Sequence, residues 1–250
     1  MTFSRKYEGE EPIRLNKWMG QSGVCSRREA DGLIAQGLVS IDGEVVRDAG
    51  RKVEPGQTVS MGEQAAEALD GITLVIHKPV GYVSGQPEPG KAPAVRLLTR
   101  DRLDGPGEPP GRDASLPPIG RLDEDSRGLL LLSSDGVVAK AVIGPQSELD
   151  KEYLVTVRGH LSESKIARLR HGLSLDGRAL KRAEVEVVEG QTLRFVLREG
   201  RNRQIRRMCD QLDLRVTDLF RVRIGPLRLG DLPEGRWRML TPQERAALVG

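Results

Sequence analysis

Residues 120–132 read GRLDEDSRGLLLL, a charged stretch that runs directly into four leucines. A short apolar run bounded by turn residues is typical of a strand in the core of a sheet, so we predict a strand over residues 129–133. That strand would anchor the loop before it and leave the carboxylates at the mouth of the loop. Asp123 and Asp125 are therefore candidates for general acid–base chemistry. A turn whose aspartates accept backbone hydrogen bonds would give the same pattern.

The sequence on both sides of this stretch predicts a mixed, mostly antiparallel α+β domain. We predict strands at 72–76, 152–157, 183–188 and 192–197. We predict one helix that ends near residue 143 and two more at 163–171 and 202–212. Thr241, Pro242 and Glu244 predict a capped final helix. Residues 101–118 are rich in Gly and Pro and predict a long surface loop.

The chain before this domain predicts a small separate unit. Apolar spacing indicates two short helices, the second started by a capping box of Ser26 and Glu29 and closed by Gly37. Asp42-Gly43 then predicts a hairpin turn. We expect a flexible leader at 1–12, the small domain at 13–61, a linker at 62–71 and the large domain at 72–250.

Composition excludes several classes of protein. Lys and Arg total 39 against 36 for Asp and Glu, so net charge alone does not indicate nucleic acid. The two cysteines form no CxxC pair and the three histidines are scattered, so we predict neither a disulfide framework nor a metal site. No apolar run approaches the ~18 residues of a membrane span, and the polar N-terminus lacks a signal core. We therefore expect a cytoplasmic protein without a membrane partner, and we also expect a monomer.

Basic residues are clustered, which is more informative than their number. Eight arginines lie between residues 198 and 223. On a helix over 202–212, Ile205 and Met208 would share the docking face, with Arg203 and Arg207 opposite and Arg206 on the flank. The small domain has a second group, Arg14, Lys17, Arg27 and Arg28. Both groups suit phosphate contacts, although solvated helix faces would carry the same charges.

An alternating segment, KEYLVTV at 151–157, predicts a strand with Tyr153, Val155 and Val157 on one face. Core packing is sufficient to explain a tyrosine there. However, only 3% of the chain is aromatic, so few other side chains are available to stack on a nucleobase.

Ordered motifs give the chain a family resemblance. Residues 14–46, from RLNK through SRREAD to IDG, resemble an S4 RNA-binding domain. GRLDEDSRGLLLL, KEYLVTV and EGRNRQIRRM resemble the motifs of the RsuA/RluB/RluE/RluF family of pseudouridine synthases. The motif variants are most similar to the F-type branch of that family. His77 stands where the family's N-K-P-x-G element has Asn.

The resemblance implies a role for particular residues. Asp123 matches the essential carboxylate, Arg206 its ion-pair partner and Tyr153 the ring that stacks on the target base, whereas Asp125 matches a structural position. The residues expected to contact RNA are Arg14, Lys17, Arg27, Arg28, Arg121, Arg203, Gln204 and Arg207.

The implied fold and activity follow from the same resemblance. They are an S4 domain, then an antiparallel catalytic domain with a central RNA cleft, which converts a uridine to pseudouridine without a cofactor. The expected partner is ribosomal RNA, and 23S RNA of the large ribosomal particle is favoured over 16S RNA of the small one. A structured transfer RNA is an additional candidate.

Two other classes of function remain open at the level of sequence. A non-catalytic S4 protein that binds ribosomes would need only the small domain, and it would leave about 180 residues without a role. A glycoside hydrolase would use Asp123 and Asp125 as its pair of carboxylates. It would also need an aromatic sugar cleft, which two Trp and three Tyr make a poor prospect.

Overall fold

The computed structural model describes residues 3–69, 71–85, 89–111 and 114–250. The chain divides into two compact units. The first contains the chain up to Ile72 together with Ser133–Lys140, and the second contains Thr73–Leu132 and Ala141–Gly250.

The first unit is a small α/β assembly. Its elements are β1 (Phe3–Lys6), β2 (Ile13–Arg14), α1 (Leu15–Gln21), α2 (Arg27–Gln36), β3 (Val39–Ile41), β4 (Glu44–Val46), β5 (Lys52–Val53), β6 (Thr58–Met61) and α3 (Glu63–Ala68). The predicted capping box starts α2, and Gly37 ends it in the left-handed conformation. The predicted hairpin joins β3 to β4, with both Asp42 and Gly43 at positive φ.

Two predictions about the ends of this unit are wrong. Within the predicted flexible leader, β1 pairs with β6 in register, and the rings of Phe3 and Tyr7 each lie 6.3 Å from that of Trp18. Within the predicted linker, α3 forms a helix whose Ala65 is buried in the core of the unit. Both segments are polar apart from a few side chains, so pattern alone did not show that those few pack against the core of the unit.

The segment 133–140 also belongs to the first unit, beyond the boundary predicted at residue 72. The carboxylate of Glu29 accepts hydrogen bonds from the backbone N–H of Ser26 at 2.5 Å and of Gly136 at 2.9 Å. A side chain at Gly136 would collide with Ser26 and Glu29, so glycine is required for this approach.

The second unit contains the remaining elements, apart from residues 133–140, which belong to the first unit. They are β7 (Thr73–Lys78), β8 (Tyr82–Val83), β9 (Ala92–Pro93), β10 (Pro118–Ile119), β11 (Arg127–Ser133), α4 (Gly136–Ile143), β12 (Lys151–Arg158), α5 (Glu163–Arg170), β13 (Ser174–Leu175), β14 (Arg178–Ala179), β15 (Glu184–Glu189), β16 (Thr192–Leu197), α6 (Gln204–Asp210), β17 (Arg215–Ile224), β18 (Leu227–Arg228), β19 (Trp237–Met239) and α7 (Pro242–Val249). Element types agree with the prediction. Thr241 caps α7 with the predicted capping box.

A nine-stranded open sheet organises this unit, in the order β15-β16-β12-β17-β11-β7-β19, with β10 beside β11 and β18 beside β17. The antiparallel pairs include β12 with both β16 and β17, whereas β11 runs parallel to β17. The predicted mostly antiparallel α+β class is confirmed. In its described part, the predicted loop at 101–118 contains the end of a short 3-10 helix at Arg100–Arg102 and a single bridge from Leu103 to Trp237 before β10. Residues 112–113 lie outside the described residues.

Helix α6 packs against the apolar core beneath the sheet. Ile205, Met208 and Leu212 are buried in one apolar cluster with Val155 and Phe195. The predicted docking face of α6 is therefore confirmed. Because this face is buried, the arginines on the other faces of α6 are available to bind polar groups.

Candidate active site

Asp123 lies in the loop between β10 and β11. Strand β11 is buried almost throughout and fixes the end of the loop in the core. The Asp123 side chain is 37% exposed. The N–H of Ser126 donates to the carbonyl oxygen of Asp123 at 3.1 Å, which closes a tight turn around the carboxylate.

Asp123 opens onto a cavity of about 680 Å³ within the second unit. Tyr153 of β12 and Arg206 of α6 line the same cavity, so the three residues predicted for catalysis are brought together. Arg121, Arg203 and Gln204 also line it. A cavity of this size falls in the range of small-ligand sites, about 300–1,000 Å³.

The predicted ion pair between Arg206 and Asp123 differs from what the structure shows. Nη1 of Arg203 lies 3.5 Å from Oδ2 of Asp123, whereas Nη2 of Arg206 lies 3.3 Å from Oδ1 of Asp125. Arg206 also donates to the carbonyl oxygen of Asp125 at 2.6 Å and to Oγ of Ser126 at 3.2 Å. Arg206 therefore binds the loop two residues beyond the predicted position.

The start of α6 explains this exchange of partners. The helix begins at Gln204, so Arg203 is its N-cap, with a left-handed backbone at φ 49°. The helical spacing that placed Arg203 opposite the docking face does not apply to a residue outside the helix. Its guanidinium instead reaches the two aspartates of the loop.

Asp125 is the anchor of this charge cluster. Arg203 donates to both of its carboxylate oxygens, at 3.1 and 2.8 Å. Partial burial acts to raise the pKa of Asp125, but the hydrogen bonds from Arg203 and the charge of Arg206 outweigh it, so the pKa lies below its ordinary value. This arrangement supports the structural role predicted for Asp125.

Tyr153 is half-buried on the face predicted from alternation. It packs against the same apolar cluster that contains Val155 and Val157. In the sheet it pairs with Phe195 of β16 and Arg221 of β17. The strand thus fixes the backbone of Tyr153 at a position where the residue lines the cavity.

Other residues expected to contact RNA have protein partners. Nη1 and Nη2 of Arg207 donate to Oδ2 and Oδ1 of Asp176, at 3.0 and 2.6 Å respectively. Gln204 is buried, donates to Glu199 and accepts from the N–H of Arg201. Arg121 is exposed at the cavity. Gln204 therefore links residues of the cavity wall, whereas Arg207 is paired with a carboxylate outside the cavity lining.

The four basic residues of the small domain are all exposed: Arg14, Lys17, Arg27 and Arg28. Across the described ranges, none of the four has an ion pair to a carboxylate. Arg27 and Arg28 lie in the first turn of α2, where free backbone N–H groups add to the positive potential. This surface is suited to phosphate.

Sequence reasoning placed Lys78 in the element that resembles N-K-P-x-G but gave it no role at the site, and the structure shows that Lys78 is completely buried. Its ammonium donates to the carbonyl oxygens of Pro79 at 2.8 Å and Tyr82 at 2.7 Å. Burial lowers its pKa from 10.5 to about 8, against the opposing charges of Asp123 and Asp125. A lysine ending the apolar run LVIHK was the available signal, because a buried lysine needs specific partners.

His77, the departure from the family's Asn, lies beside it in the sheet. Its Nδ1 is 2.8 Å from the carbonyl oxygen of Leu232, and its ring stacks on Phe220 at 5.3 Å. Its Nε2 is buried and has no hydrogen-bond partner among the residues that the structure describes. These contacts support the strand rather than line the cavity.

Over the described ranges of the chain, no group of three or more His, Cys, Asp or Glu side chains is arranged to hold a metal ion. No helix in the same ranges is long and apolar enough to cross a membrane.

Comparisons with known proteins identify the family of both domains. Residues 72–211 match the family model for RNA pseudouridylate synthase, and residues 13–59 match the S4 domain. The dual-specificity RNA pseudouridine synthase RluF of Escherichia coli strain K12 is 35% identical over 94% of this chain and 78% of that protein. An uncharacterized RNA pseudouridine synthase of Aquifex aeolicus strain VF5 is 32% identical over 94% of this chain and 93% of that protein.

A solved structure shows the same fold. A crystal structure of a pseudouridylate synthase superposes with a TM-score of 0.65 at 26% identity, covering 95% of this chain and all of that one. With the family model matching more than half of the chain, the chain belongs to the RNA pseudouridylate synthase family and has an N-terminal S4 domain.

Proposed function

We propose that this enzyme isomerises one specific uridine in the 23S RNA of the large ribosomal particle, with Asp123 as the catalytic carboxylate. The observation that carries the proposal is the single cavity lined by Asp123, Tyr153 and Arg206. It combines a carboxylate, an aromatic ring and cationic side chains, which are the groups needed to act on a nucleobase attached to a phosphate backbone.

The chemistry requires one carboxylate and no net exchange of electrons. The N1–C1′ glycosidic bond of uridine breaks, the base rotates, and a C5–C1′ bond forms while a proton leaves C5 and N1 gains one. The product is an isomer of the substrate, so neither a redox partner nor a group donor enters the balance. Asp123 is the carboxylate that we place at the reacting base.

The target uridine must leave its stack to reach Asp123. Base flipping of this kind costs a few kcal/mol and is cheapest in loops or at irregular pairs. Stacking on Tyr153 would offset about 1–3 kcal/mol of that cost. The site therefore favours a uridine that is weakly stacked in the folded RNA.

The S4 domain positions the enzyme rather than reading the sequence. Arg14, Lys17, Arg27 and Arg28 present exposed charge to phosphates, and phosphate contacts fix register without identifying bases. We propose that these residues bind structured ribosomal RNA in the cytoplasm and that the enzyme acts as a monomer.

The choice of 23S RNA rests on the motif variants that resemble the F type and on the similarity to RluF. A uridine in 16S RNA is the main alternative, since enzymes for both RNAs share these motifs. A structured transfer RNA is retained as a second substrate because the RluF relative is named for dual specificity.

The two other classes of function receive no support. A non-catalytic S4 protein would not need residues 72–211, which match the synthase family. In a glycoside hydrolase, Asp123 and Asp125 would flank a sugar, yet Arg203 binds both carboxylates here. The cluster is better explained as one catalytic aspartate with a neighbouring anchor.

Pseudouridine mapping of total RNA from cells with and without the gene tests the target. We expect one 23S site to disappear and to return when the wild-type gene, but not the Asp123→Asn variant, is supplied. Loss of a site only in 16S RNA would contradict the choice of 23S RNA. Return of the site with Asp123→Asn would contradict the catalytic assignment.

A further inference from the structure

The loop that carries Asp123 is fixed through its backbone. Each of the six carbonyl oxygens from Gly120 to Asp125 accepts a hydrogen bond. Three of these bonds come from two buried side chains, Ser84 and Arg221, that have no role in the assignments above. Such complete pairing is unusual for a loop, whose carbonyl groups commonly face water.

Ser84 binds the residue immediately before Asp123. Its hydroxyl donates to the carbonyl oxygen of Leu122 at 2.7 Å and accepts from the N–H of Leu122 at 2.9 Å. Ser84 is 5% exposed and Leu122 is 6% exposed, so water does not compete for these bonds. One hydroxyl therefore fixes both backbone groups of the residue next to the carboxylate.

Arg221 holds the two ends of the same loop. Its Nη2 and Nη1 donate to the carbonyl oxygens of Gly120 at 2.7 Å and Arg121 at 3.3 Å, and its Nε donates to that of Leu129 at 2.7 Å. The guanidinium is buried. Its planar fork can serve three carbonyl groups at once, which an ammonium cannot do in the same geometry.

A glycine in β11 allows strand β17, which carries Arg221, to lie close to the loop. Gly128 pairs with Arg221 between the parallel strands β11 and β17 and has a φ of 112°. A Cβ at Gly128 would collide with the backbone of Arg221. The GRLDEDSRG motif thus includes a glycine that lets the Arg221 strand come close enough to bind the loop.

We infer that Ser84 and Arg221 are positioning residues for Asp123, acting through the backbone of its loop. The inference rests on the catalytic role proposed for Asp123. A displacement of about 1 Å in a reacting group can cost about 100-fold in rate, so a backbone frame of this kind affects turnover more than binding. Neither side chain has to touch the RNA for this effect.

The test compares two buried serines of the full-length enzyme. Ser133, 2% exposed, accepts from the N–H of Asp135 at 2.9 Å and donates to its carbonyl oxygen at 3.5 Å. Ser133→Ala therefore removes the same kind of hydroxyl contact at a loop without Asp123. Single-turnover pseudouridine formation, KM, melting temperature and amide hydrogen exchange are measured for both alanine variants.

For Ser84→Ala we expect the rate to fall by up to about 100-fold with KM within about twofold of wild type. Exchange at the Leu122 amide should accelerate. For Ser133→Ala we expect a similar change in melting temperature and a wild-type rate. Arg221→Lys should lower the rate, whereas Arg223→Lys on the same strand, whose partners are Asp150 and Glu152, should not.

A Ser84→Ala rate within about twofold of wild type would overturn the inference, as would equal rate losses in the two serine variants. A failure of the proposed function is distinguishable, since the wild-type enzyme would then form no pseudouridine in ribosomal RNA. In that case exchange at Leu122 would still report whether Ser84 fixes the loop.

Discussion

Replacing Asp123 by asparagine should remove activity with little loss of stability, whereas replacing Asp125 by asparagine should mainly lower stability. Both substitutions preserve shape and remove one negative charge. Among the residues that the structure describes, Asp123 has one ion pair, with Arg203 at 3.5 Å. Asp125 has a bidentate contact with Arg203 and a further contact with Arg206 at 3.3 Å. We expect Asp123→Asn to abolish isomerisation and Asp125→Asn to retain it at a reduced rate.

The expected stabilities follow from these contacts. The Asp125 side chain is 46% exposed, so solvent screens its charge. A cost of about 1–2 kcal/mol is reasonable, below the 3–5 kcal/mol of a fully buried pair. At about 2–4 °C per kcal/mol for a chain of this size, Asp125→Asn should melt about 2–8 °C below wild type. The single contact of Asp123 is worth about 0–1 kcal/mol.

The assay pairs single-turnover pseudouridine formation on unmodified ribosomal RNA with thermal denaturation of the same preparations. RNA affinity of Asp123→Asn, measured by filter binding, should stay close to wild type. Wild-type turnover by Asp123→Asn would refute the reasoning. So would an inactive Asp125→Asn with an unchanged melting temperature, because Asp125 would then be the reacting carboxylate.

Other predictions concern the ring, the S4 surface and the buried lysine. Tyr153→Phe should keep most of the single-turnover rate and Tyr153→Ala should lose most of it, because stacking needs only the ring; equal losses would implicate the hydroxyl. The double variant Arg27→Ala/Arg28→Ala should bind RNA more weakly, and the slope of log binding constant against log salt concentration should become shallower by about 2. Its turnover at saturating RNA should be unchanged. A slope equal to that of wild type in filter binding would contradict this prediction. The pKa of Lys78 is about 8 in the folded protein against 10.5 ordinarily, so the unfolded chain binds more protons between these values. The free energy of unfolding measured by denaturant should therefore rise from pH 8 to 10.5 in wild type, relative to Lys78→Met. Parallel profiles for the two proteins would show that burial does not lower the pKa of Lys78.

Much of the fold was predictable because its signals are local. The capping boxes at Ser26 and Thr241 and the hairpin at Asp42-Gly43 depend on neighbours within three residues, and all three are confirmed. The leader and the linker were wrong for the opposite reason. Strand β1 forms only because β6, more than fifty residues away, offers a free edge.

The members of the candidate site were also predictable, but their partners were not. Motif order placed Asp123, Tyr153 and Arg206 at one cavity, which agrees with the structure. Which arginine meets which aspartate depends on one backbone dihedral angle, since the left-handed Arg203 leaves the helical register that its spacing suggested. Such a conformation is uncommon for a residue other than glycine, and the sequence contains no signal for it.

The ion pairs of Arg203 and Arg207 change how these two arginines can contribute to RNA binding. Arg203 and Arg207 were expected to be free for phosphate, yet in the structure each is neutralised by a carboxylate, Asp125 or Asp176. An RNA phosphate that binds either arginine must therefore compete with an existing pair, and this competition subtracts from its affinity. Exposed cations without such partners, including Arg27 and Arg28 of the S4 domain, carry no comparable cost. RNA affinity should thus come mainly from the S4 surface, while Arg203 and Arg206 act chiefly by ordering the loop around Asp123.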